Sequence, residues 1–135
     1  IREALEGYTA GDLASGCQAV DRNTPLDWVV RDYVLPQNQN CFVITNGPQS
    51  EGVTTLAQIR QVPQLQWKWT PIGQIMTPLN DLKPVLAGET AYSALERMLA
   101  EGQNLLPVLD DTRFLGFLRQ DKLLRLAQNR VSLGI

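Results

Sequence analysis

Histidine is absent from this chain of 135 residues, and cysteine occurs only twice, at Cys17 and Cys41. A zinc peptidase site needs a pair of histidines, and a serine nucleophile needs a base to activate it, so the lack of histidine argues against both kinds of catalysis. The cysteines show neither a C-x-x-C spacing nor a metal-ligand cluster. We therefore predict that this segment is not an enzyme, and we expect both thiols to be reduced and partly buried, as in a cytosolic protein.

The chain also lacks a secretory signal and an apolar stretch of membrane-spanning length, so the sequence indicates a soluble segment. It begins with Ile1 rather than methionine, which is typical of a fragment and leaves a membrane protein open as its parent. The net charge of −2 argues against a nucleic-acid partner, because neutralising phosphates takes a concentrated basic face. We interpret the cluster of Arg119, Lys122 and Arg125 as a solvated helix face.

The most informative positive feature is an internal duplication. Each half contains a short apolar run, an amphipathic helix, an apolar strand, and a glycine-led strand that runs into another helix. The second copy follows the first by 65 residues at its start and by 64 from Gly52 and Gly116 onward, which predicts a one-residue difference in the turn between the paired strands. The predicted core-facing helix positions are Leu26, Val29, Val30, Tyr33 and Val34 in the first copy and Ala91, Ala94, Leu95, Met98 and Leu99 in the second.

These patterns predict an α+β fold in which each half has the order β-α-β-β-α. Two copies are too few for a solenoid, so we expect one globule in which each half covers the open face of the other. Thr24 and Thr90 each precede a predicted helix, and their hydroxyls are predicted to cap it.

The segment from Val62 to Pro78 separates the halves, and its prolines predict an extended crossover rather than a continuous helix. It also contains Trp67 and Trp69. We favour packing of both indoles against the body of the protein, although the pattern also fits an exposed platform for a carbohydrate or a nucleobase.

The second half resembles a CBS domain, named after cystathionine beta-synthase. The residues that carry this likeness are Ile75-Met76-Thr77-Pro78, Val85, Ala94-Leu95, Met98, Leu106-Pro107-Val108 and Gly116-Phe117-Leu118. The first half, from about Gly11 to Val62, resembles a second and more diverged copy. The resemblance implies two CBS repeats packed about a pseudo-two-fold axis, with repeat 1 and its lead-in at 1–63, a linker at 64–74, repeat 2 at 75–130 and a tail at 131–135.

The chain is further similar to the CBS pairs at the soluble end of membrane-embedded site-2-protease-type zinc metalloproteases. The residues that carry this likeness are Asp32-Tyr33-Val34-Leu35, Thr55-Leu56, Ile59-Arg60-Gln61-Val62-Pro63, Trp67 and Ile75-Met76-Thr77-Pro78-Leu79. This resemblance implies a cytoplasmic domain of a membrane protease whose catalytic zinc site lies outside the segment.

CBS pairs typically sense adenosine-containing ligands. Their clefts are marked by a glycine, a Thr or Ser that contacts phosphate and, three residues later, an Asp that holds the ribose hydroxyls. In the first copy, this pattern implies a candidate nucleotide cleft at Val20, Gly52, Thr55 and Gln58, with glutamine in place of the carboxylate. A glutamine side chain still accepts one hydrogen bond from a ribose.

The second copy departs further from the family pattern. Near Val85, the cleft has Arg119 where the hydroxyl is expected and Lys122 where the carboxylate is expected. Asp121 lies one position early, which turns it about 100° around a helix. Either this cleft holds a more anionic group such as a polyphosphate, or it is plugged and its charges pair with Asp121 or solvent; we favour the plugged cleft.

The resemblance implies a regulatory or dimerising accessory module that requires no cofactor or metal. The expected regulatory ligands are AMP, ADP, ATP or S-adenosylmethionine, and the expected partners are a second copy, paired through the CBS helices, and an attached membrane protease. A change in the packing of two modules would then be transmitted to the protease. The alternative is a purely structural dimerisation module with degenerate ligand clefts.

Overall fold

The computed structural model describes residues 2–111 and 113–135. The helices are α1 (Ala10–Leu13), α2 (Leu26–Val29), α3 (Leu35–Gln37), α4 (Leu56–Arg60), α5 (Ala91–Glu101) and α6 (Gln120–Leu133). The strands are β1 (Gln18–Asp21), β2 (Cys41–Asn46), β3 (Gln49–Thr55), β4 (Thr77–Pro78), β5 (Val85–Leu86), β6 (Leu105–Asp110) and β7 (Arg113–Arg119). Within the described residues, no helix is both long and apolar enough to cross a membrane.

The chain divides into two compact units. The first unit comprises Cys17–Leu82, and the second comprises residues 2–16 together with Lys83–Ile135. The residues that lead into the first repeat of the sequence thus pack with the second half of the chain. These units are defined by which residues pack together and not by the sequence duplication, so the predicted repeat bounds of 1–63 and 75–130 stay a prediction.

Each unit is built on one sheet. In the first unit the strand order is β1-β2-β3-β4, with β1 parallel to β2 and an antiparallel hairpin between β2 and β3. In the second unit the order is β5-β6-β7, with the same parallel pair followed by the same hairpin. Both units therefore have the predicted β-α-β-β-α order, and the predicted α+β class is confirmed.

The one-residue difference between the copies lies in a helix, so its predicted position in the hairpin turn was wrong. The two hairpins have the same length, since Ile44 pairs with Gly52 and Val108 pairs with Gly116. Between α2 and α3 the first copy makes a π-helical turn at Val30–Val34, which α5 lacks. A π turn accommodates a single extra residue without ending the helix.

The helical faces pack largely as predicted. In the first unit, Leu26 and Val29 are buried against the sheet, and Val30, Tyr33 and Val34 pack against the same core. In the second unit, Ala91, Ala94, Leu95 and Met98 are buried. Leu99 is instead 54% exposed, so its predicted place in the core was wrong.

The two predicted helix caps have different outcomes. Thr90 Oγ1 accepts a hydrogen bond from the Ser93 backbone N–H at 3.2 Å, which confirms the cap of α5. The prediction for Thr24 was wrong, because Pro25 occupies the N-cap position of α2 and no side chain caps that helix. The Thr24 carbonyl instead accepts the backbone N–H of Ile72 at 2.8 Å.

The segment between the halves is folded rather than extended. It contains 3₁₀ helices at Gln64–Trp69 and Ile72–Gln74, and it ends in β4, which pairs with β3. Trp67 packs against the core of the first unit and donates its indole N–H to the Val62 carbonyl at 2.9 Å. Trp69 is 75% exposed, so the predicted packing holds for one indole of the pair.

Cys17 and Cys41 form a disulfide, so the prediction that both are reduced was wrong. The parallel pairing of Gln18 with Phe42 brings the residues immediately before them side by side, with their Cα atoms 5.2 Å apart. This distance lies within the range that a disulfide requires. A pairing between distant strands, and not the spacing of cysteines along the chain, created the bond.

Candidate functional site

The four residues of the first candidate cleft all lie in the first unit. Val20 is in the middle of β1, Gly52 and Thr55 are on β3, and Gln58 is in α4. Val20 and Gly52 both pair with Ile44, so they flank the same position of the central strand β2. Thr55 lies where β3 ends and α4 begins, and it is partly buried. Val20 is 4% exposed and packs in the core with Phe42 and Ile44, whereas Thr55, which pairs with Cys41, projects from the opposite face of the sheet. The structure therefore brings Thr55 and Gln58 together and places the Val20 side chain on the other face.

Thr55 and Gln58 form a local hydrogen-bonded pair at the start of α4. Gln58 Oε1 accepts the Thr55 backbone N–H at 2.9 Å and the Thr55 hydroxyl at 3.4 Å. A residue at the third helical position that binds back to the N-cap is one half of a capping box. The two candidate ligand contacts are thus also the residues that fix where this helix begins.

The amide of Gln58 also holds the segment that precedes β4. Its Nε2 donates to the Ile75 carbonyl at 3.0 Å and to Thr77 Oγ1 at 3.1 Å. Both donor hydrogens of the amide are therefore in use. A ribose hydroxyl that bonds to this side chain has to share Oε1 with Thr55 or displace one of these bonds.

Gly52 is required by the close approach of the same segment. A Cβ atom at this position would lie 2.7 Å from Met76 Sδ and 2.7 Å from the Thr77 carbonyl oxygen. Gly52 pairs with Pro78 and Val53 pairs with Thr77, which accounts for this approach. The glycine therefore has a structural reason to be there that is independent of any ligand.

The second candidate set lies in the second unit and has the same local arrangement. Val85 is buried in β5, Arg119 ends β7, and Lys122 lies in the first turn of α6. Lys122 Nζ donates to Ser15 Oγ at 2.8 Å. Arg119 and Asp121 form an ion pair at 3.2 Å. These contacts are those of a plugged cleft, which stays our interpretation of this site.

The two units repeat one polar contact with different residues. Gln58 binds the hydroxyl of Thr77 in the first unit, and Lys122, 64 residues later, binds the hydroxyl of Ser15 in the second. Ser15 also pairs with Phe117 beside Gly116, much as the segment at Thr77 pairs beside the glycine of the other hairpin. Ser15 and Thr77 are the site residues that the sequence did not reveal, since each belongs to a segment outside the hairpin that it contacts.

No family profile and no curated protein sequence matches this chain. Among solved structures, the CBS domain of a CBS-domain-containing membrane protein from Sphaerobacter thermophilus superimposes with a TM-score of 0.71 and 17% identity, covering 92% of this chain and 90% of that one. The CBS domain of a bacterial CNNM/CorC family Mg²⁺ transporter in complex with ATP superimposes with a TM-score of 0.76 and 12% identity, covering 94% of this chain and 92% of that one. CBSX2 in complex with AMP superimposes with a TM-score of 0.67 and 21% identity, covering 91% of this chain and 98% of that one.

At these identities the similarity bears on the fold. It extends over nearly the whole length of this chain and of the CBS proteins. The resemblance of the sequence to a CBS domain is therefore confirmed at the level of architecture. The chain has the fold of a tandem CBS domain module.

Proposed function

We propose that this chain is a regulatory module that binds an adenine nucleotide in its first unit, at Val20, Gly52, Thr55 and Gln58. The observation that carries the proposal is the Thr55 hydroxyl, partly buried at the junction of β3 and α4, on a fold whose solved examples include complexes with ATP and AMP. A hydroxyl at this position donates to a phosphate oxygen after rotating away from Gln58. The module itself carries out no reaction and reports the nucleotide to an attached protein.

The contacts of Gln58 predict a modest affinity. Its Oε1 accepts from the Thr55 N–H and hydroxyl, so a ribose hydroxyl competes with existing bonds. One exchanged hydrogen bond is worth about 1 kcal/mol, whereas bonds to a carboxylate are stronger. We therefore propose AMP, ADP, ATP or S-adenosylmethionine as a regulatory ligand rather than a permanently bound cofactor.

The proposal predicts a thermal shift with one of these four compounds. A ligand present at 100 times its dissociation constant stabilises a protein by about 2.7 kcal/mol, which raises the melting temperature of a domain of this size by several degrees. Replacing Thr55→Tyr fills the site with a ring, and we expect it to abolish the shift. Thr55→Val keeps the shape and removes the hydroxyl, and we expect it to weaken binding about tenfold.

The matched control is Ser50→Tyr, which places the same ring at an exposed position on the same strand. It should respond to the nucleotide as the unmodified chain does, with circular dichroism confirming that all variants fold. Wild-type affinity in Thr55→Tyr would remove Thr55 from the site. The lack of a shift with all four compounds at millimolar concentration would contradict nucleotide binding altogether.

We further propose a site-2-protease-type zinc metalloprotease of the membrane as the attached protein, with this module on its cytoplasmic side. Support comes from the tract Ile59-Arg60-Gln61-Val62-Pro63, with which generic CBS pairs do not usually end their first half. The test is the sequence of the full-length protein, where membrane spans and a histidine pair flanking a glutamate are expected. A parent without that motif would reject the assignment.

A purely structural dimerisation module is the second candidate function. It is favoured by the contacts of Gln58 with Thr77 and of Lys122 with Ser15, which occupy both positions where the family carries a ribose carboxylate. In this case the clefts are degenerate and the module brings two copies of its host protein together. The thermal-shift series separates the two candidates, because a structural module does not respond to nucleotides.

Both candidates include a homodimer formed through helices, and α6 offers an apolar surface for it. A shallow depression of about 350 Å³ is lined by Leu124, Ala127, Gln128, Val131 and Ser132. Val131 is 73% exposed.

A charge buried at an apolar interface without a partner is costly, so Val131→Glu is expected to shift the dimer to monomer in sedimentation equilibrium. Asn129→Glu, exposed on the same helix and outside the depression, is the control. A monomeric unmodified chain at high micromolar concentration would contradict this prediction.

A further inference from the structure

We propose that the Cys17–Cys41 disulfide is a redox switch that controls the shape of the Thr55 site and, through it, nucleotide affinity. The link to affinity rests on the proposed function, whereas the link to shape does not. In the cytoplasmic location that the proposed function implies, a disulfide is unusual unless it responds to redox state. Its position beside the candidate cleft gives such a response a target.

The buried half of the disulfide pairs across the sheet with a residue of the site. Cys41 pairs with Thr55 in the antiparallel register of β2 and β3, so their side chains project from the same face of the sheet. Directly opposed residues have Cβ atoms about 5 Å apart. The residue before Cys41 also holds the start of α4, since the Asn40 carbonyl accepts the Leu56 backbone N–H at 3.0 Å. A displacement of Cys41 would therefore move both Thr55, at the end of β3, and Leu56, at the start of α4.

The other half of the disulfide, Cys17, anchors the strand that contains Val20. β1 is an edge strand of four residues, and β2 is its neighbour in the sheet order. The disulfide ties the start of β1 to the start of β2. Reduction leaves β1 held by strand pairing and packing, so the start of β1 loses its covalent tie to Cys41, the residue that pairs with Thr55.

The exchange reaction requires a dithiol as reductant. Cys41 is 7% exposed and Cys17 is partly exposed, so a dithiol thiolate reaches the Cys17 sulfur, forms a mixed disulfide with it and expels the Cys41 thiolate. The second thiol of the reductant then displaces Cys17. Two electrons and two protons pass to the protein, which ends with two thiols, and the dithiol ends as a disulfide.

The second unit supplies an internal control, because it has the same junction without the disulfide. Leu105 stands 64 residues after Cys41 at the start of β6. The Gln120 backbone N–H donates to the Asn104 carbonyl at 2.9 Å, as Leu56 does to Asn40. Redox state should therefore affect the amides at Thr55 and Leu56 more strongly than the amide of Gln120.

The test compares the oxidised chain, the chain reduced with dithiothreitol, and the double variant Cys17→Ser with Cys41→Ser. We expect AMP, titrated by calorimetry, to bind about tenfold more weakly to the last two forms, within the usual range of coupling between sites. Amide hydrogen exchange of Thr55 and Leu56 should accelerate in both, by more than that of Gln120. The double variant should not respond to dithiothreitol.

Each outcome decides between the switch and the proposed function. Equal AMP affinity in the oxidised and reduced forms overturns redox control of affinity and leaves nucleotide binding intact. Exchange that is unchanged at Thr55 and Leu56, or that rises equally at Gln120, overturns control of the site's shape. If no form binds AMP while Thr55 and Leu56 exchange selectively, AMP is excluded as the ligand and the redox control of this junction stands.

Discussion

Reduction of the Cys17–Cys41 disulfide is expected to lower the free energy of unfolding by about 3 kcal/mol. The bond closes a loop with a sequence separation of 24 residues. In the chain-entropy account, a crosslink over a loop of this length restricts the unfolded chain by about 3 to 4 kcal/mol. Most single substitutions have smaller effects, so we expect this bond to be a major contributor to the stability of the chain.

Urea unfolding of the oxidised and reduced chain, followed by circular dichroism, measures this difference directly. The double variant Cys17→Ser with Cys41→Ser should unfold like the reduced chain, with or without dithiothreitol. A difference below about 1 kcal/mol between the oxidised and reduced forms would contradict the prediction. It would mean that residual structure already restricts this loop in the unfolded chain.

Replacing Gly116→Ala is expected to cost about 3 kcal/mol of folding stability. Gly116 has a φ of +144°, a conformation in which a residue with a side chain is strained by about 1 to 3 kcal/mol. A Cβ atom would also lie 2.5 Å from the Ser15 carbonyl oxygen and 2.9 Å from its carbon. These are backbone atoms held by two hydrogen bonds of 2.8 Å between Ser15 and Phe117, so they cannot yield without breaking that pairing.

The matched control for this substitution is Gly88→Ala in the same unit. No atom lies within 4 Å of the place where its Cβ would stand, and its φ is not in the left-handed region. This variant is expected to change the free energy of unfolding by no more than about 0.5 kcal/mol. Equal stability of the two variants in urea titrations would contradict the role of Ser15 as a fixed neighbour of Gly116.

The sequence predicted the helices of the two copies correctly but misplaced the one-residue difference between them. The 65-residue offset between the copies located both helices and their buried faces, because the spacing of apolar residues is a local property. The change to an offset of 64 was also visible, but the sequence placed it in a turn. The extra residue lies in the π turn at Val30–Val34. The helical turns on either side of it also contain apolar residues, so the sequence pattern does not show where the residue is inserted.

The family pattern implied Thr55 and Gln58 as neighbouring ligand contacts, and the structure joins the two residues by hydrogen bonds at the start of α4, while their role in binding stays a prediction. The sequence did not reveal Thr77 or Ser15, which bind Gln58 and Lys122 at 3.1 and 2.8 Å. It predicted reduced cysteines where the structure has a disulfide.

The sequence by itself determined the duplication, the order of helices and strands in each copy, and the α+β class, because apolar periodicity and turn residues act within a few neighbours along the chain. The tertiary structure alone decided which polar side chains meet. Ser15 and Lys122 are 107 residues apart in sequence, and only the pairing of Ser15 with Phe117 brings them together. Likewise, the parallel pairing of β1 with β2 joined Cys17 to Cys41. Such contacts depend on strand register across the whole fold, and no local pattern encodes it.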